Sequence, residues 1–239
     1  MYELYNRDCL EQMKSIPDRS IDMILCDLPY GMTRNKWDSI IPLKLLWQEY
    51  NRIIKDNGVI ALFCDGLFMA ELMLSNVNMW RYNLCWDKQK GSDFLNANVK
   101  PLKSHENIAI FYKNRPTYNK QYWYDKPYKK TLNGRPSTNW GDRGQHASES
   151  IDGKRCPLSV LHFPRESRTV HPTQKPVTLL EWLIKTYTNE GDTVLDNCMG
   201  SGSTIVAALN TGRNAIGIEL DEKYFNIAKE RIANVQITE

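Results

Sequence analysis

Thr193-Val194-Leu195-Asp196-Asn197-Cys198-Met199-Gly200-Ser201-Gly202-Ser203-Thr204 is the stretch that decides the fold. A short apolar run ends on an acid, two glycines follow, and a helical pattern opens at about residue 203 and runs to about 210. Glycine lets the backbone approach a ligand closely, and a helix N-terminus offers N–H groups with no partner inside the helix. Beyond Gly212, residues Asn214 to Leu220 read as the next strand, with Glu219 at its end, 23 residues after Asp196. An acid there is placed to bind a ribose diol.

Two familiar ligand loops fail on this stretch. A dinucleotide fingerprint needs a third glycine where Ile205 stands, and a phosphate-binding loop needs a lysine that is absent. Asp196 would repel a pyrophosphate and suits a ligand with a cationic sulfonium or amine. The alternative is a glycine-rich turn that serves only tight helix–strand packing.

Working outward, strands and helices alternate. Residues 21–26 (IDMILC), 59–64 (VIALFC), 80–87 and 106–112 read as strands. Residues 43–55 have helical periodicity that Asn57-Gly58 ends, and 67–77, about 177–187 and 221–235 are also predicted helices. The pattern predicts an α/β fold, a doubly wound and mostly parallel sheet with helices on both faces.

A second candidate site closes the strand at 21–26. In Asp27-Leu28-Pro29-Tyr30, the Asp27 carboxylate and the Leu28 carbonyl are both acceptors, held by Pro29. Together they can grip an exocyclic NH2 group, with the Tyr30 ring stacking on the attached base. The same residues also suit a plain strand-ending turn.

Charge is uneven along the chain. Of 239 residues, 31 are Lys or Arg and 28 are Asp or Glu, a net of +3. Window 113–157 holds ten basic and four acidic residues, a net of +6, and the remainder is net −3. Among Ile, Leu, Val and Met the window has only Leu132 and Ile151, but it carries Tyr118, Tyr122, Trp123, Tyr124, Tyr128 and Trp140. Such a segment cannot bury an aliphatic core of its own. Cations among rings suit a polyanion that offers flat bases, with a solvated loop as the bland alternative.

The six cysteines form no Cys-x-x-Cys pair and the four histidines no close ligand pair, so the sequence predicts no metal site. No apolar stretch approaches the ~20 residues of a membrane span, and the N-terminal MYELYNRDCL lacks the features of a secretory signal. The chain reads as soluble, cytoplasmic and without a membrane partner.

Taken in order, these pieces resemble the N6-adenine/N4-cytosine DNA methyltransferases that use S-adenosylmethionine. Asp27-Leu28-Pro29-Tyr30 is similar to the family's catalytic tetrapeptide, with Leu28 where proline is usual; the atom needed there is a main-chain carbonyl, which leucine also has. The loop 196–204 looks like the cofactor loop, and His171-Pro172-Thr173-Gln174-Lys175-Pro176 like a third signature before the cofactor strand. Asn6-Arg7-Asp8-Cys9-Leu10 looks like the family's opening. The order, with the tetrapeptide first and the cofactor loop last, is that of the permuted β group.

The resemblance implies a Rossmann-like methyltransferase fold in three parts: a catalytic half at 1–112, a target-recognition insert at 113–170 and a cofactor-binding half at 171–239. It implies that S-adenosylmethionine is held by Asp196, Cys198, Gly200, Ser201, Gly202, Ser203 and Thr204, with Glu219 on the ribose. Lys175 would lie near the cofactor carboxylate, among His171 and Pro176, and Asp8 and Cys9 near the adenine. The substrate would be adenine N6 in double-stranded DNA, flipped from the helix, with Lys120, Lys126, Lys129, Lys130, Arg135 and Arg143 on the DNA. Alternatives are cytosine N4, for which serine in place of Asp27 is more typical, a glutamine amide or RNA acceptor, and a catalytically silent DNA-binding regulator. Dimers are common in the β group, so a homodimer is a candidate assembly.

Overall fold

Alternate residues of the apolar runs face opposite ways, and this splits the core in two. In Ile21–Cys26 (β2), Met23 and Leu25 join one hydrophobic cluster while Ile24 and Cys26 join another. Ile54–Cys64 (β3) divides the same way, with Val59, Ala61 and Phe63 on one face and Ile60, Leu62 and Cys64 on the other. A strand buried on both faces needs helices on both sides.

The computed structural model describes residues 1–31, 40–132, 146–166 and 174–235. In chain order the remaining elements are β1 (Tyr2–Asn6), α1 (Cys9–Met13), α2 (Leu43–Ile53), α3 (Gly66–Ser75), β4 (Trp80–Ser92), β5 (Lys103–Phe111), β6 (Trp123–Tyr124), β7 (Tyr128–Leu132), β8 (His146–Ser150), β9 (Lys154–Arg155), β10 (Val160–His162), α4 (Val177–Tyr187), β11 (Thr193–Asp196), α5 (Ser203–Asn210), β12 (Asn214–Glu219) and α6 (Glu222–Ala233). Eight strands form one sheet in the order β1-β12-β11-β2-β3-β5-β4-β10, parallel except where β5 runs against β3 and β4. Side chains of α4, α5 and α6 pack in one cluster and those of α1, α2 and α3 in the other, so the sheet is doubly wound as predicted.

From β2 the chain crosses through α2 to β3 on one side, and from β11 through α5 to β12 on the other. Neighbouring β11 and β2, paired at Val194↔Met23 and Leu195↔Ile24, are therefore the switch point of the sheet. Ligands of open α/β sheets bind beyond the carboxyl ends of strands at such a point.

Several details differ from the sequence reading. The second helix ends at Ile53, and Asn57-Gly58 lies inside β3. Gly58 serves close approach there: a Cβ would sit 2.8 Å from the Asp22 carbonyl oxygen. The strands predicted at 80–87 and 106–112 are the longer antiparallel partners β4 and β5. Strands β1 and β10 escaped prediction because each is short, mostly exposed and paired along one edge only.

Lys120–Leu158 forms a second compact unit, shorter than the predicted insert 113–170. Asn119 belongs to the larger unit, donating its backbone N–H to Thr186, and β10 joins the main sheet. The small unit contains two antiparallel pairs, β6 with β9 and β7 with β8. Its rings carry cations: Lys154 Nζ lies 4.1 Å from the Tyr122 centroid and the Arg155 guanidinium 4.3 Å from that of Tyr128. Predicted residues Arg135, Arg143 and Trp140 lie outside the described residues.

Candidate active site

Beyond the ends of β2 and β11 opens a cavity of about 680 Å³, and both predicted sites line it. Asp27, Leu28, Pro29 and Tyr30 form one wall; Asp196, Cys198, Gly200, Ser201, Ser203, Thr204 and Glu219 form another, with Asp8 and Cys9 beside them. The volume falls within the range of small-molecule sites.

The glycine turn is built from below. Gly200 and Gly202 have φ of +52° and +79°, conformations that side chains with a Cβ rarely adopt. Gly202 backs onto α6, where a Cβ would meet Ile232 Cδ1 at 3.0 Å and Ala228 Cβ at 3.1 Å. Arg231 on the same helix donates to the Ser201 carbonyl at 3.0 Å and to Ser203 Oγ at 2.9 Å. Glu219 accepts the Gly200 N–H at 2.8 Å through one oxygen and the Asp221 N–H at 2.8 Å through the other. Gly217 on β12 makes room beneath the turn, since a Cβ there would collide with Met199 Sδ. Tyr50 of α2 donates to Asn197 at 2.5 Å. Gly217, Tyr50 and Arg231 were missed in the sequence because each acts from a distant element.

Asp196 is almost fully buried; burial raises its carboxyl to about 6, against the Thr204 hydroxyl and the Cys198 N–H, which favour the anion. Burial also raises Glu219, against its backbone donors. Asp8 accepts the Glu11 N–H at 3.1 Å and so caps α1. The thiols are all raised, Cys9 by its hydrogen bond with Cys198 and by burial, Cys26 by burial, and Cys198 by its hydrogen bond with Cys26 and by burial, which disfavours the reactive thiolate. Among the described residues, no cluster of His, Cys, Asp and Glu is suited to hold a metal ion.

On the opposite wall Tyr30 donates to Asp27 Oδ1 at 2.9 Å, and its ring stacks on Phe68 at 5.0 Å. Lys175 Nζ donates to Asp27 Oδ2 at 2.5 Å. Its ammonium is thus tied to the tetrapeptide, on the wall of the cavity that the glycine turn also lines. Burial raises the Asp27 carboxyl, and Lys175 opposes the rise. Pro176 is buried at the start of α4, and His171 lies outside the described residues. Glu106 and Lys88, which the sequence reading did not single out, also line the cavity.

The comparisons with known proteins point to one family. A profile of the DNA methylase family, of the N6/N4 type, matches residues 21–230. The type II methyltransferase M1.MboII of Moraxella bovis is 26% identical over 98% of each chain. The DNA adenine methyltransferase YhdJ of Escherichia coli K12 is 26% identical over 94% of this chain and 80% of its own. A crystal structure of M1.HpyAVI with SAM superposes with a TM-score of 0.65 at 26% identity, covering 97% of this chain and 100% of that one.

Proposed function

This chain belongs to the DNA methylase family of the N6-adenine/N4-cytosine type, which methylates DNA with S-adenosylmethionine, and from that premise we propose that its target is adenine N6 in duplex DNA. The observation that carries the proposal is that Asp27 and the glycine turn share one cavity at the sheet's switch point. The donor set of that cavity suits the cofactor. Carboxylates at Asp8, Asp196 and Glu219 favour its cationic and hydroxyl groups, and the open N–H groups at the start of α5 favour its carboxylate.

When bound, S-adenosylmethionine supplies a methyl group already activated on a sulfonium. The protein must then make a poor nucleophile competent. The lone pair of adenine N6 is delocalised into the ring. Hydrogen bonds from its two N–H groups to Asp27 and to the Leu28 carbonyl favour a pyramidal nitrogen with a localised pair. As the new N–C bond forms, nitrogen carries one proton too many, and Asp27 or water takes it. Tyr30, backed by Phe68, offers its remaining face to the flipped base, offsetting part of the few kcal/mol that extrusion costs. Asp27, rather than the serine more typical of cytosine N4 enzymes, supports adenine, as does the adenine specificity in the name of YhdJ. The basic, ring-bearing unit 120–158 supports a DNA contact through Lys120, Lys126, Lys129 and Lys130.

Incubation with unmethylated genomic DNA and labelled cofactor, followed by mass analysis of the nucleosides, tests the reading. N6-methyladenine is expected. N4-methylcytosine alone would overturn the adenine assignment, and no methylated nucleoside would overturn the activity.

A further inference from the structure

Four buried or half-buried charges run in a line along the cavity wall. Lys88 on β4 is paired with Glu106 on β5; Glu106 Oε2 lies 3.3 Å from Lys175 Nζ; and Lys175 Nζ lies 2.5 Å from Asp27 Oδ2. The line holds two cations and two anions and is neutral as a whole. Lys175 sits between two carboxylates that compete for it. Glu106 Oε2 is buried and accepts no hydrogen bond from the described residues, so its hold on Lys175 is the looser of the two.

We propose that Lys175 and Glu106 are opposed positioning residues for Asp27, Lys175 fixing its carboxylate through Oδ2 and Glu106 drawing part of that ammonium's charge away. This inference rests on the reading of Asp27 as the acceptor of the target amine. Lys175 alone would hold Asp27 rigid and ionised but weaken it as an acceptor, because a tightly paired carboxylate gives less density to a third partner. Glu106, anchored from behind by Lys88, restores that strength. One lone pair on each Asp27 oxygen is taken, Oδ1 by Tyr30 and Oδ2 by Lys175, and the amine meets what remains.

The signs follow from charge. Burial pushes Glu106 up, but Lys175 and Lys88 outweigh it and hold its carboxyl at about 2, so Glu106 stays an anion across the working range. Burial alone would lower Lys175, but Asp27 and Glu106 raise it, so it stays a cation. The other groups facing Asp27 are Tyr30 in its own turn, Cys26 at the end of β2, Cys64 on β3, and Asp196 across the switch point; Lys103 faces Glu106 but is itself paired with Asp65. Replacing Lys175 removes the cation that favours ionised Asp27. Replacing Glu106 with glutamine removes an anion that opposes it and frees Lys175. The two substitutions therefore move Asp27 in opposite directions, which a merely structural pair would not do.

The test uses full-length protein with carbon-13-labelled aspartate, the Asp27 carboxyl resonance being assigned by Asp27→Asn. In Lys175→Met the midpoint should rise by about one to three pH units, the size expected for loss of an adjacent opposite charge. In Glu106→Gln it should fall, and in the double variant it should return toward wild type. If Lys175→Met alone does not fold, Glu106→Gln and the double variant still decide the direction. Single-turnover methyl transfer at saturating cofactor and DNA should show its acidic limb moving in the same senses. Unmoved midpoints, or shifts of one sign in Lys175→Met and Glu106→Gln, would overturn the proposal, as would methyl-transfer limbs that ignore the resonance shifts. A wild-type protein that methylates no DNA would instead overturn the functional reading, and the resonance titration would still decide the coupling.

Discussion

Asp27 and Asp196 lie at the ends of adjacent strands, yet they are built for different work. Asp27 is held by a hydroxyl and an ammonium, whereas Asp196 is almost fully enclosed and receives mainly neutral donors. Truncating Asp27 to alanine removes the proposed acceptor of the amine without touching the glycine turn. Methyl transfer should fall below detection while calorimetry still finds cofactor affinity within a few-fold of wild type; near-normal turnover would refute the assignment. Asp196 makes a prediction about stability. Its native carboxyl titrates at about 6, above the ordinary 3.8, so the folded state binds the proton more tightly than the unfolded chain. The folded form therefore loses stability as pH rises from about 4 to about 6, and the penalty is complete above that. At ~1.36 kcal/mol per unit, Asp196→Asn should gain up to about 3 kcal/mol at pH 8, and the gain should shrink as pH falls toward 4. Denaturant titrations at several pH values would show this, and an asparagine variant no more stable than wild type at pH 8 would refute it. The same variant should bind S-adenosylmethionine poorly at every pH, whereas wild-type affinity should fall as pH drops through about 6.

Among the elements, the turn from β11 into α5 shows what the sequence made legible. An apolar run, an acid and two glycines specify strand, ligand turn and helix start locally, so Asp196, Gly200, Gly202 and Glu219 could be read without knowing their neighbours. The supports came from elsewhere: Arg231 from α6, Tyr50 from α2, Glu106 and Lys88 from the β4–β5 pair. Nothing local marks those side chains, because their meaning depends on which strands lie side by side. Asn57-Gly58 misled for the same reason: the dipeptide has the composition of a helix stop, yet the glycine is there for Asp22 on the neighbouring strand. Gly202 gives a prediction at this scale. Alanine there incurs about 1–2 kcal/mol for left-handed backbone and also crowds Ile232 and Ala228, which should shift the turn. Gly191, with φ of +83° and nothing within 4 Å of where a methyl group would sit, is the control. Both alanine variants should lose stability in denaturant titration, and only Gly202→Ala should also lose cofactor affinity. Equal affinities in the two would show that the packing behind Gly202 does not govern the site.

Across the whole molecule, composition divides the chain much as its folding into two units does. The larger unit buries two apolar layers against one sheet, while Lys120–Leu158 has rings and cations in place of an aliphatic core. Composition could locate that unit but could not orient its side chains, since this depends on the pairing of β7 with β8. Tyr128 and Lys130 are two residues apart on β7 and share a face, on which Arg155 also covers the Tyr128 ring. Lys129 points the other way and lies 3.5 Å from Glu149, its cross-strand partner. The two lysines, equivalent in the sequence, are thus unequal candidates for a phosphate contact: one stands beside a ring and a guanidinium, and the other is partly neutralised. Reversing a charge that meets a phosphate lowers affinity and reduces the slope of log affinity against log salt by about one for each phosphate no longer neutralised. Lys130→Glu should therefore weaken binding to a duplex and flatten that slope, whereas Lys129→Glu should change it much less. Anisotropy titrations with a labelled duplex between about 50 and 200 mM salt would separate them. Equal slopes for the two variants would remove the face of Tyr128, Lys130 and Arg155 from the DNA interface.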